Sequence, residues 1–202
     1  MTELVLEKKQ QFIPLGVRCR LVVPTRPQRD ATLRFLAGVD AQPPAGEAEA
    51  GLRLLREAAR GRIAIAFEDG GLLQWLDAWH NAVLPADFHA AEAVRQARRR
   101  ARGILAALGH DPDAVSRWAV DDLSLLETRL VGFVKAMLLE PDLLVLDGLF
   151  ERLGAEEQRQ VQRWIDYCRA RYPLRRMLYL GLSEVGAGLL AGFVPLSAVE
   201  KA

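Results

Sequence analysis

The sequence predicts an α/β domain built on a mainly parallel sheet. Three observations lead there. Short apolar runs of strand length alternate along the chain with longer amphipathic stretches of helical length. The run Leu143-Leu144-Val145-Leu146 is apolar at every position, as in a strand covered on both faces, and it ends on the acidic Asp147. Half of the residues are hydrophobic, enough for a sizeable core in a chain of 202 residues.

The elements follow in order. Gly16 to Val23 reads as a short strand. Arg29 to Ala37 reads as a helix stopped by Gly38. Thr25 and Gln28 have capping-box spacing, and Pro27 suits a first helical turn. Ala41 to Gly51 is a surface connection whose two prolines exclude a continuous helix. Leu52 to Arg60 is helical, Ile63 to Phe67 is a second buried strand, and Asp69-Gly70-Gly71 turns the chain. Trp75 and Trp79 lie four apart beside Leu72, Leu73 and Leu76, the spacing of an apolar helical stripe. His89 to Leu108 is a long helix closed by Gly109. Leu123 to Leu139 is another, stopped before Pro141. After the strand that ends at Asp147 come a helix (Ala155 to Arg171), a strand (Met177 to Leu182), a short helix (Glu184 to Leu190) and a last strand (Gly192 to Leu196).

Bulk properties narrow the function. A net charge of +1 and a pI near 7.8 point to neither nucleic acid nor an acidic partner. Cys19 and Cys168 form no disulfide framework, and His80, His89 and His110 have no metal-ligand spacing. MTELVLEKKQQ lacks the apolar region of a signal peptide. No apolar run approaches the roughly 18 residues of a membrane span. A soluble protein of a reducing compartment is expected. The basic run from Arg95 to Arg102 reads as a solvated helix face, with an acidic-lipid or partner surface as the alternative.

LSLLETRLVGFVKAMLLEPDLLVLDGLFERLG, residues 123 to 154, resembles the nucleotide-binding subunits of ABC transporters. In that family an LSGGQ signature opens a helix, an E-P-x-L-L-L-L-D-E strand follows, and a short loop ends in Asp. VVPTRPQRDATLRFLAG is similar to the phosphate loop and its helix, IAIAFED to the strand before the glutamine loop, WLDAWHNAVLP to the stretch after it, and LYLGLSEVGA to the switch-histidine strand. The resemblance spans nearly the whole chain. It implies a P-loop NTPase-like fold in a single domain, 1–202. Residues 1–71 and 123–202 would form the core lobe and about 72–122 a helical lobe. Residues 1–23 are a short lead-in for the family, so a reduced N-terminal β-lobe is expected.

The departures from the family are as consistent as the match. Phosphate loops use glycine so that backbone N–H groups can cradle phosphates, with a lysine to neutralise them. Pro24 to Thr32 has no glycine, and its two prolines each remove a donor. Asp30 stands in the lysine's place and Ala31 in that of the Mg²⁺-binding hydroxyl, with Thr32 one place on. Arg26 and Arg29 are the cations that an anion could meet there. Asp147 keeps the place of the Mg²⁺-linked aspartate, but Gly148 replaces the water-polarising glutamate. Ser124 keeps the signature serine; Leu125, Leu126 and Glu127 replace the rest. Glu68, Leu182 and Gly154 replace the family's glutamine, switch histidine and loop aspartate. Each such group is worth a few kcal/mol at a phosphoryl-transfer transition state.

A catalytically inactive ABC ATPase-like subunit is therefore expected, with no ATP, Mg²⁺ or other cofactor and no catalytic residue. Thr32, Ser124 and Asp147 would be vestigial. The resemblance implies a membrane permease subunit as partner, met through Glu68, Trp75, Leu76 and Trp79, and an ABC ATPase or a second copy as dimer mate. It places the chain in the cytoplasm, peripheral on the inner face of the membrane. The Leu84-Pro85 stretch is similar to that of lipid-transport ATPases of the Mce type, which implies lipid cargo. A free-standing binding module on the same fold is the alternative, and a residual ATP-binding ATPase the weaker one.

Overall fold

The computed structural model describes residues 13–86, 91–183 and 187–199. Residues 1–12, 87–90 (with His89), 184–186 and 200–202 lie outside the described residues, and so do the expectations that fall on them.

The elements are β1 (Arg18–Val22), α1 (Arg26–Leu36), α2 (Glu49–Ala58), β2 (Ile63–Ala66), α3 (Ala78–Val83), α4 (Ala91–Ala107), α5 (Pro112–Val115), α6 (Leu125–Leu138), β3 (Leu143–Asp147), α7 (Ala155–Arg171), β4 (Arg176–Gly181), β5 (Val194–Pro195) and α8 (Leu196–Val199). One sheet runs in the order β2-β3-β4-β1-β5, and its pairings among the described residues are parallel. β3 lies between β2 and β4 and is buried at every position, which is why its sequence carries no polar alternation.

Helices cover both faces. On one, α3, α4, α6 and α7 pack against Ala64, Leu144, Leu146, Met177 and Tyr179, with Phe133 and Trp164 as the largest apolar fillers. On the other, Phe35, Leu36, Leu52, Leu55 and Leu196 close over Cys19, Leu143, Val145, Leu178 and Leu180. The helices drawn from 72–122 share the first of these cores with α6.

Local chemistry accounts for the ends. Thr25 caps α1, its hydroxyl accepting from the Gln28 N–H, so the helix begins at Arg26, three residues ahead of the sequence-based start. Ser124 and Glu127 form a reciprocal capping box at α6. β3 and α7 fall on the residues read from the sequence.

The α2 helix begins at Glu49, inside the stretch read as a surface connection, and two further stretches differ from expectation. Val194–Pro195 is a two-residue edge strand followed at once by α8, since a proline suits an edge and cannot extend a ladder. Residues 72–77 do not form the apolar helix that their spacing suggested. Asp77 caps α3 by accepting from the His80 N–H, and the Asn81 amide binds the backbone of Leu73, Leu76 and Asp77. These side chains offer the backbone an alternative to helical bonds.

The turn at Gly70 rests directly on α6. A Cβ on Gly132 would lie 2.6 Å from the Gly70 carbonyl oxygen and 2.7 Å from its Cα. Those atoms are backbone and cannot step aside. Gly132→Ala should therefore destabilise the fold by about 1–3 kcal/mol despite alanine's better helix propensity. Urea unfolding with an unchanged slope and a lower midpoint would show it; a midpoint raised by the substitution would contradict the contact.

Candidate functional site

The C-terminal ends of β2, β3 and β4 meet the start of α1, the place where open parallel sheets carry their chemistry. A buried ion cluster occupies it. Arg29, in the second turn of α1, turns its side chain inward and is only 6% exposed. Its Nε donates to Asp147 Oδ1 at 2.5 Å, and its Nη1 to Glu68 Oε2 at 2.6 Å, with Glu151 Oε2 at 3.6 Å. Asp147 is 2% exposed and also accepts the Glu68 N–H at 3.4 Å.

Two further arginines complete the cluster. Arg152, on the surface, contacts Glu68 Oε1 at 2.8 Å. Arg129 is fully buried and donates to the carbonyls of Glu68, Leu149 and Glu151, with Nη2 3.7 Å from Glu68 Oε1. Glu151 Oε1 accepts the Leu182 N–H at 2.5 Å, which ties in the end of β4. Arg29, Arg129 and Arg152 thus face Glu68, Asp147 and Glu151, and the cluster neutralises itself.

Glycine makes room for this. Gly148 follows β3 with φ +59°, and a Cβ there would meet Arg29 Nη2 at 3.0 Å. A side chain at this position would be strained by the positive φ and would need the Arg29 guanidinium to give way by a few tenths of an ångström. Burial works against the Arg29 charge, but the hydrogen bonds and charges of Asp147 and Glu68 outweigh it, and the guanidinium is held above its usual basicity. Burial pushes the Asp147 carboxyl above the ordinary carboxylate range, and Arg29 draws it only part of the way back. Burial also opposes the Glu68 charge, but Arg29 and Arg152 hold that carboxyl below the ordinary range.

The remaining residues named from the sequence fall as follows. Thr32 is fully buried, its hydroxyl donating to the Gln28 carbonyl within α1. Ser124 is committed to the α6 cap. Arg26 and Asp30 face solvent. Arg29 does not present itself to an anion; its charge is spent on carboxylates. Of the four partner residues, Trp75 is 78% exposed, Leu76 is half-buried, and Trp79 packs in part against the core. Glu68 turns inward. In the basic run, Arg95 and Arg99 pair with Glu92, Arg100 with Glu140 and Arg102 with Asp113, as on a solvated face.

Sequence reading missed Glu151, Arg129, Arg152 and Asn81. Arg129 carried a signal, since a lone arginine in the apolar run of residues 125–138 must find partners wherever it is buried. A cleft of about 350 Å³ is lined by Arg20, Val22, Gln28, Thr32, Glu47 and Leu196, and none of the cluster residues faces it. Among the described residues no group of His, Cys, Asp and Glu is placed to hold a metal ion, and no helix is long and apolar enough to cross a membrane.

No protein-family model matches the chain. The aliphatic sulfonates import ATP-binding protein SsuB of Granulibacter bethesdensis is 34% identical to it over 135 residues, covering 64% of this chain and 47% of the relative. The taurine import ATP-binding protein TauB of Pseudomonas aeruginosa is 30% identical over 158 residues, covering 78% of this chain and 55% of the relative. The chain thus spans about half the length of the curated relatives it matches. Among solved structures, CbiO1 of Clostridium perfringens, part of the ABC transporter complex cbiONQ, superposes with a TM-score of 0.62 at 15% identity, covering 88% of this chain and 72% of that one. The dimeric bacterial ABC transporter cassette MJ0796 gives 0.65 at 16%, covering 88% and 79%. The fold is that of an ABC transporter ATPase.

Removing one partner of a buried ion pair leaves the other unpaired, at a cost of about 3–5 kcal/mol. Asp147→Asn should cost close to that, because Arg29 then keeps a charge that its nearest acceptor no longer balances. Arg29→Met with Asp147→Leu should cost less than the two single changes added. Denaturant melts of the four proteins measure the coupling; additive costs would show that the pair is not a unit.

Proposed function

On the premise of an ABC transporter ATPase fold, we propose that this chain is a catalytically silent subunit of a membrane transport assembly, structural or regulatory in role. One observation carries the reading: the Arg29 guanidinium fills the space between Asp147, Glu68 and Glu151.

The chemistry follows from charge and space. Phosphoryl transfer in P-loop proteins needs a backbone cradle, a lysine, a Mg²⁺ held near the strand-end aspartate, and a group that orients water. Asp147 is neutralised by Arg29, so a Mg²⁺ ion would have to displace a tethered cation already paired at 2.5 Å. A triphosphate meets no surplus positive charge, because the three arginines are matched by carboxylates. Asp30, exposed on α1 next to Arg29 in sequence, adds a negative charge. Gly148 has no side chain to orient water, and Glu151 holds the backbone of Leu182 instead. No step of hydrolysis has its group.

A partner contact is the function left to the fold. Trp75, with the half-buried Leu76 beside it, offers a large apolar anchor of the kind that dominates interfaces. A membrane subunit is the partner we propose for it. Relatives named for sulfonate and taurine import favour small organic sulfonates as the cargo of such an assembly. Lipid cargo rests on Leu84-Pro85 alone.

Mg-ATP titration under a thermal ramp tests the silence. A ligand at a hundred times its Kd adds about 2.7 kcal/mol, roughly 5–10 °C for a chain of this length. The midpoint should stay within a degree or so at millimolar Mg-ATP. A rise of several degrees would overturn the reading in favour of a residual ATPase.

A further inference from the structure

The sheet has two outer strands, and they are not equally protected. β5 is two residues long and contains Pro195, which has no N–H to offer a further strand. β2 is the other edge. From Ile63 to Phe67 the chain carries neither proline nor charge, the residues that ordinarily keep an edge from pairing. The Arg62 carbonyl accepts the Asp142 and Leu143 N–H groups at the start of β3. Backbone direction alternates along a strand, so Ala64 and Ala66 also turn to β3, while Ile63, Ile65 and Phe67 turn their peptide groups to the free edge. Among the described residues no strand lies against that edge. The side chains of the same three residues are incompletely covered: Ile63 and Ile65 are half-buried and Phe67 is 37% exposed.

The flanks of β2 select the strand that fits. Arg60 and Arg62 precede it, and Glu68 and Asp69 follow it. Glu68 is taken by the ion cluster, and Arg62 pairs with Asp142. Arg60 and Asp69 are exposed and have no ion-pair partner among the described residues. A second copy of β2, laid antiparallel about a two-fold axis through Ile65, sets Ile65 against its own copy and Ile63 against Phe67, with their outward peptide groups facing each other. It also brings Arg60 of each copy beside Asp69 of the other. The cross-strand pairs on the half-covered face are then β-branched or aromatic, the kinds that stabilise a sheet. A parallel copy would set Arg60 against Arg60 and Asp69 against Asp69.

We propose that two copies of this chain pair edge to edge through β2, antiparallel about a two-fold axis at Ile65, and so join their sheets without nucleotide. The contact runs along the side of the sheet and is made largely by backbone. It stands apart from the reading of Trp75 and does not depend on it.

Sedimentation and hydrogen exchange of the purified full chain test the pairing. The wild-type protein should be a dimer at micromolar concentration, with the same dissociation constant with and without Mg-ATP. The amides of Ile63, Ile65 and Phe67 should exchange more slowly as the concentration rises through that constant. Ile65→Pro removes an N–H that faces the free edge and takes nothing from the β3 ladder, so it should give a folded monomer. The flanking charges report even if that variant fails to fold. Arg60→Glu and Asp69→Lys should each weaken the dimer about tenfold, and the two together should restore it, because the pair is only exchanged. A wild-type monomer throughout, a dimer that forms only with Mg-ATP, or a dimer in which the three amides keep their monomer rates would overturn the proposal. So would a folded Ile65→Pro that dimerises like the wild type, or single charge changes that have no effect or are not rescued by the double change.

Discussion

A single buried cation organises the working edge of this sheet. Arg29 is charged under all ordinary conditions, and an unpaired charge in that position would be prohibitively costly. It can be buried only if Asp147, Glu68 and Glu151 are brought to it together. Those three residues come from the end of β3, the exit of β2 and the loop before α7. One guanidinium therefore fixes how α1 meets the sheet, how the chain leaves β2 and how the loop after β3 folds back.

Other features become intelligible once that constraint is recognised. Gly148 suits its place because its φ is +59° and Arg29 lies close over it. Gly132 must lack a side chain because the Gly70 turn, next to the gripped Glu68, is pressed onto α6. Arg129, buried in α6, spends its donors on the carbonyls of the same loops. In an active cassette a metal and a nucleotide would supply the positive and negative charge at this edge. Here both signs are covalently part of the chain. The charges of the edge are paired within the chain, and on the reading proposed above the exposed Trp75 nearby is what meets a partner.

Much of this was legible in the sequence, and the failures have physical causes. β3 was readable to the residue because a strand buried on both faces shows an unbroken apolar run, and α7 because its polar and apolar positions repeat at helical spacing. The substitutions at Asp30, Gly148 and Leu182 could be read by position, since backbone register follows spacing. The cluster could not, because spacing does not say which way a long side chain turns. Arg29 looked available to an anion at the head of a helix, and only the folded chain shows it turned inward. Glu68 looked like a surface group for the same reason. Residues 72–77 have true helical spacing, and local propensity lost there to the Asn81 amide and the Asp77 cap, tertiary and local polar bonds that no periodicity reveals.

The Arg29 Nε–H offers the most direct measurement. In protein labelled with ¹⁵N-arginine, its resonance can be assigned by its loss in Arg29→Lys, and its exchange with water followed. A proton held on Asp147 in a buried pair should exchange far more slowly than those of the surface arginines. It should keep both its shift and its rate when millimolar Mg-ATP is added. An Arg29 Nε–H that exchanges as fast as a surface arginine, or that moves on addition of Mg-ATP, would show that the cluster opens and that the site is not self-occupied.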